Sequence, residues 1–175
     1  ARNDPPGPRV LALEGLFRRA GVRCRVEPDM IHCIWLKFMG NVSENLPCAL
    51  LGVPYGAYRE GWPADGIRRA LMAEVAAVAR AEAGVELTEE DMALRNRIVY
   101  NQDPASRPST LQDLDRGRQT EVELFAGTVV RLGEKHGLPT PVSAVMLQGI
   151  RALEAKNAGT IPGLPEAART LAPLF

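Results

Sequence analysis

A chain of 175 residues, 46% hydrophobic and 24% charged, holds enough apolar material for one globular domain with room for a short appended segment. Its 21 basic and 21 acidic residues cancel, so no basic excess marks a nucleic-acid-binding face. No apolar run approaches the ~18–20 residues that cross a bilayer, which leaves small molecules and proteins as the expected partners.

Residues 1–8 are polar and proline-rich, without the apolar stretch of a secretory signal, and read as a loop. The chain does not open with Met, as expected of a fragment or a processed product. From Arg9 to Gly21, apolar Val10, Leu13, Leu16, Phe17 and Ala20 recur at helical spacing before a terminating glycine. Cys24-Arg25-Val26-Glu27 then alternates like a short strand. This helix-then-strand unit is too small to bury its own faces and reads as the edge of a larger α/β domain.

From Asp29 the pattern is helical throughout. Asp29 is a candidate cap for a helix through Met30, Ile31, Ile34, Trp35 and Phe38, which Pro47 is expected to end or kink. Residues 51–62 hold three glycines and a proline and read as a loop. Pro63 suits a first helical position, with Ile67, Leu71, Val75 and Val78 on one face up to Gly84. A helix starts at Thr88-Glu89-Glu90-Asp91 and runs to about Tyr100. Ser109, after Pro108, looks like the cap of a short helix broken at Gly117. Thr120-Glu121-Val122-Glu123 has capping-box form ahead of a helix ending at Gly137. Thr140-Pro141 opens a last helix to about Asn157, and residues 158–175 read as a loosely attached tail. Cys24, Cys33 and Cys48 are odd in number and widely spaced, so reduced thiols of a cytoplasmic protein are expected, with no metal site.

The segment richest in chemistry is residues 34–45. Lys37 is one of three lysines and sits among apolar neighbours. On an α-helix, positions 37, 41 and 45 share a stripe within an arc of roughly 80°. An ammonium and two carboxamides on a greasy helix cost free energy unless something polar faces them. A lysine packed against apolar groups also tends to give up its proton more readily. The alternative is a snorkelling lysine with asparagines that cap or bridge neighbouring helices. Ser109 and Glu121, taken singly, read more simply as helix-start residues than as site residues.

Taken in order, the blocks are more specific. Trp35, Lys37, Asn41 and Asn45, followed by Ser109, Leu111, Gln112, Asp113, Thr120 and Glu121, resemble the ketopantoate reductase family. Gly127, His136-Gly137 and Thr140-Pro141 fit the family's closing helices, and the similarity runs over residues 8–153. The resemblance implies a mainly α fold. Residues 28–157 would form a helical C-terminal domain of the 6-phosphogluconate-dehydrogenase-like type, with residues 1–27 a short α–β remnant of a Rossmann domain.

The implied activity is reduction of 2-dehydropantoate to pantoate with NADPH, in pantothenate and coenzyme A synthesis. Lys37 and Glu121 are the implied catalytic pair, Lys37 as general acid. Asn41, Asn45 and Ser109 are the implied substrate-binding residues. Two departures stand out. Tyr55-Gly56 occupies the place of an Asn-Gly pair, exchanging a substrate-contacting amide for a phenol. No G-x-G-x-x-G follows a strand, so NADPH is expected to bind mainly on a domain absent from this chain. The rival expectations are a non-catalytic helical dimerisation or ligand-sensing module, and a reductase of another branched 2-oxo acid. A homodimer is possible under each.

Overall fold

The computed structural model describes residues 5–163, which form eight α-helices joined by turns, with no strand among them. The helices are α1 (Pro8–Arg19), α2 (Met30–Gly40), α3 (Leu46–Leu51), α4 (Pro63–Ala83), α5 (Glu89–Tyr100), α6 (Ser109–Asp115), α7 (Ala126–His136) and α8 (Pro141–Asn157). A π-helical turn, Asn41–Asn45, links α2 to α3, and a 3₁₀ turn occupies Tyr55–Ala57.

Several boundaries follow from local chemistry. The Asp29 side chain accepts a hydrogen bond from the His32 N–H and caps α2. Thr88 and Asp91 form a capping box at the start of α5. Gly84 and Gly137 close α4 and α7 at φ of 57° and 65°, a left-handed conformation that disfavours other residues.

α4 runs through the centre. Leu71, Met72, Val75, Val78 and Ala79 on its buried face pack against α2, the π turn, α7 and α8. Its first turn carries a fully buried ion pair, Asp65 with Arg68. The Arg68 guanidinium also donates to Asn96 of α5 and lies over the rings of Tyr58 and Tyr100 at 5.6 and 5.5 Å. That network fastens α5 and the segment around Tyr58 to the core.

Pro47 does not end its helix. An α-helix would need an N–H at position 47 to reach the Ser43 carbonyl, and the proline ring would crowd that carbonyl. The chain widens into the π turn and continues into α3, with Pro47 in α3's first turn. The Ser43 hydroxyl donates to the Met39 carbonyl and the Tyr58 hydroxyl donates to the Glu44 carbonyl at 2.6 Å, satisfying groups along the widened turn.

The strand expected at residues 24–27 is not formed: a ladder needs a partner, and none exists among the described residues. α1 buries none of its residues and leaves Leu13, Leu16 and Phe17 exposed. Residues 158–163 are non-helical, and the rest of the expected tail lies outside the described residues.

Candidate active site

The residues singled out by sequence fall on four adjoining elements. Lys37 is exposed on α2, Asn41 and Asn45 belong to the π turn, Ser109 opens α6, and Glu121 lies in the turn before α7. α6 packs on the π turn and α3, which brings Ser109's helix beside the asparagines. Phe38, next to Lys37, packs edge-on against Phe125 with ring centroids 6.4 Å apart. This contact joins the lysine helix to the turn that carries Glu121.

Four local readings change. Lys37 is exposed, so the apolar packing expected around it is not formed among the described residues. Ser109 does not cap α6: Pro108 takes the cap position and no side-chain cap bond is formed. Thr120 does not form a capping box either. Its hydroxyl accepts from the Val122 N–H, its own N–H donates to the Glu154 carboxylate of α8 at 2.6 Å, and α7 begins only at Ala126. The α-helical stripe of 37, 41 and 45 is redrawn by the π turn as well. Asn45 is turned inward to 8% exposure, while Asn41 is half-buried.

Beneath the π turn lies a group that sequence spacing did not reveal. Glu44 is 2% exposed, and Arg95 of α5 grips its carboxylate with two hydrogen bonds of 2.9 and 2.5 Å. Burial pushes the Glu44 carboxyl above its ordinary value, and the Arg95 guanidinium opposes that shift without cancelling it. A glutamate inside the apolar run of residues 42–51 is a legible signal that a counter-charge must exist. Its identity is not legible, because Arg95 is 51 residues away.

Asn45 has a partner of its own. The Tyr55 hydroxyl donates to the Asn45 Oδ1 at 3.0 Å. The Tyr55 N–H and Gly56 N–H donate to the carbonyls of Ser106 and Pro104, which pins the 3₁₀ turn to the loop leading into α6. Position 56 must be glycine: a Cβ there would stand 2.7 Å from the Pro104 carbonyl oxygen.

Of the five residues, Lys37, Ser109 and Glu121 are exposed, Asn41 is half-buried and Asn45 is buried. A cavity of about 960 Å³ lies elsewhere, between α1 and the start of α2, and includes none of the five. Among the described residues no cluster of side chains suits a metal ion, and no helix is long and apolar enough to cross a membrane.

Residues 29–154 match the sequence model of the family described as ketopantoate reductase PanE/ApbA C terminal. The chain belongs to the ketopantoate reductase family.

It is 33% identical over 152 residues to the 2-dehydropantoate 2-reductase of Vibrio cholerae, covering 85% of this chain and 49% of that protein. A PanE/ApbA family ketopantoate reductase from Ralstonia eutropha superposes with a TM-score of 0.79 at 32% identity, over 87% of this chain and 51% of that one. A dimeric ketopantoate reductase from Staphylococcus aureus shares the fold, with a TM-score of 0.77 at 20% identity over 87% of this chain and 52% of that one. The chain therefore spans about half the length of the curated relatives it matches. The mainly helical architecture expected of the family's C-terminal domain is the one observed.

Proposed function

We propose that this chain is the substrate-holding half of an NADPH-dependent reductase that converts 2-dehydropantoate to pantoate, a step toward pantothenate and coenzyme A. The observation that carries the reading is the family match over residues 29–154, which spans both blocks of polar residues. Without a strand or a glycine-rich strand-to-helix turn, the described residues make no dinucleotide cradle. The nucleotide is accordingly assigned to the half of the relatives that this chain does not span. The exposed apolar face of α1 suits the last helix of that nucleotide-binding half.

A ketone reduced at carbon develops negative charge on its oxygen. The Lys37 ammonium stabilises that charge and supplies the proton. Asn41, Asn45, Ser109 and Glu121 orient the substrate so that the ketone meets Lys37, Glu121 sharing the catalytic step through its hydrogen bond. Closure of the site by the other half of the enzyme excludes water and strengthens each of these interactions. Asn45 and Glu44 are held by Tyr55 and Arg95, so the π turn is organised before substrate arrives. The three free cysteines suit a reducing compartment such as the cytoplasm. A homodimer is the proposed assembly, in keeping with the Staphylococcus aureus enzyme, and light scattering of the full-length protein tests it.

The test is turnover in the full-length enzyme. NADPH oxidation that depends on 2-dehydropantoate is expected, and Lys37→Ala is expected to lower kcat by about 100- to 10,000-fold. Near-normal turnover in that variant overturns the assignment of the acid.

A further inference from the structure

α4 and α5 are held to the rest of the fold in different ways. α4 buries seven residues along its length, whereas α5 buries Val99 alone among the described residues, with Met92 and Tyr100 half-buried. Side-chain ties fasten α5 instead. The Asp91 carboxylate lies 3.0 Å from His32 Nε2 in the first turn of α2. Arg95 grips Glu44, Arg68 donates to Asn96 at 2.6 Å, and the Tyr100 hydroxyl donates to Asp65 at 2.9 Å.

Apolar burial binds a helix to the core because water offers no substitute for it. Each polar tie can be exchanged for bonds to water, so its net contribution is modest. Undocking the whole helix also lets water reach both members of the Arg95–Glu44 pair, which avoids the stranded charge that removing one partner leaves. Fixed points bracket the helix. Val85 and Leu87 are buried just before it, and the carbonyls of Pro104 and Ser106 accept from the Gly56 and Tyr55 N–H groups just after it. Residues 88–103 between these anchors can leave without disturbing either. A twelve-residue helix is marginal by itself in water, so undocking exposes its amides.

What α5 supports is the lysine helix. His32 and Glu44 lie on either side of Lys37, and α5 ties both. The Arg95 guanidinium also lies against the backbone at Gly40, where a Cβ would stand 2.5 Å from its Cζ. With α5 undocked, α2 loses its tie at the start and the π turn loses its anchor at Glu44. Resting on the proposed reductase function, we propose that α5 is a detachable brace, which opens from the core as a unit and must be docked for substrate to bind. A ligand that binds one of two forms shifts the population toward it, so occupancy of the site should hold α5 closed.

Hydrogen exchange in the full-length enzyme tests this, in a series of low urea concentrations, with and without the product pair pantoate and NADP+. Without ligand, amides of residues 93–100 should exchange about 100-fold or more faster than those of residues 71–79 in α4, and with a shallower urea dependence. Ligand at about 100 times its Kd should slow exchange of residues 93–100 by about 100-fold, although none of them belongs to the proposed site. Exchange of α5 that matches α4 in rate and urea dependence shows no separate opening and overturns the proposal. Ligand that slows exchange at residues 37–45 and leaves residues 93–100 unchanged also overturns it, while the reductase reading stands. Ligand that slows exchange nowhere sinks the reductase reading and this inference with it.

Discussion

Replacing Gly40 with alanine opposes two effects of known sign. Gly40 has ordinary right-handed helical geometry, with φ −59° and ψ −46°. On helix propensity alone, Gly40→Ala should stabilise by about 1 kcal/mol. The new Cβ, however, would stand 2.2 Å from Arg95 Nη2 and 2.5 Å from its Cζ, which no side chain tolerates. The guanidinium is the flexible end of its side chain and can move, so the cost is not the collision itself. What is lost is the grip on Glu44, whose side chain is 3% exposed and which then lacks its counter-charge.

Breaking a buried pair by removing one partner costs about 3–5 kcal/mol, so with the propensity gain the net loss should be about 2–4 kcal/mol. Burial already holds the Glu44 carboxyl above its ordinary value, and losing Arg95 raises it further. A carboxyl raised in the folded state contributes stability that is present below its unfolded value and disappears as pH rises through the folded value. The penalty of Gly40→Ala should therefore be larger at pH 8 than at pH 5. Equilibrium urea unfolding of the 175-residue chain, followed by far-ultraviolet circular dichroism, measures it. In a Glu44→Gln background the same substitution should cost markedly less, since no charge is stranded. A Gly40→Ala variant that is stabilised, or that loses the same amount in both backgrounds, refutes the reasoning.

Two further substitutions test how the helices are held to the core. Glu74 of α4 accepts from the Val142 N–H, the Ser143 N–H and the Ser143 hydroxyl at 2.6–2.8 Å, capping α8 from another helix. Glu74→Ala should cost about 2 kcal/mol in urea unfolding, at the upper end for a lost cap, because the bonds are charge-assisted. A loss under ~0.5 kcal/mol would show that α8 starts without it. For Asp65, burial disfavours ionisation, but hydrogen bonds from Arg69, Arg68 and Tyr100 outweigh it and hold the carboxyl below its ordinary value. Its contribution is thus present above the unfolded value, near ~4, and lost as pH falls through the folded one. Asp65→Asn should cost about 3–5 kcal/mol at pH 7, since Arg68 stays fully buried. The gap between variant and wild type should shrink on acidification, and a gap that stays constant down to pH 3 contradicts the assignment.

What the sequence determined by itself is whatever depends on neighbours within about one helical turn. Asp29 caps α2, and Thr88 with Asp91 boxes α5. Pro63 and Pro141 open α4 and α8, while Gly84 and Gly137 close α4 and α7, because each group meets its partner locally or fixes its own φ. The ordered polar residues from Lys37 to Glu121 were legible as a set for a different reason: their side-chain types and order resemble a family.

The tertiary structure alone decided the rest. Cys24–Glu27 alternates like a strand but finds no strand to pair with among the described residues. Ser109 and Thr120 look like caps, yet Pro108 takes one cap position, and Thr120 is bound instead to Glu154, 34 residues away. Pro47 signals a break, and only the packing that supplies Tyr58 and Arg95 lets the helix widen into a π turn and continue. Tyr55 reaches Asn45 for the same reason. A hydrogen bond across a folded loop depends on where the backbone has been carried, and residue spacing encodes that only through the whole fold.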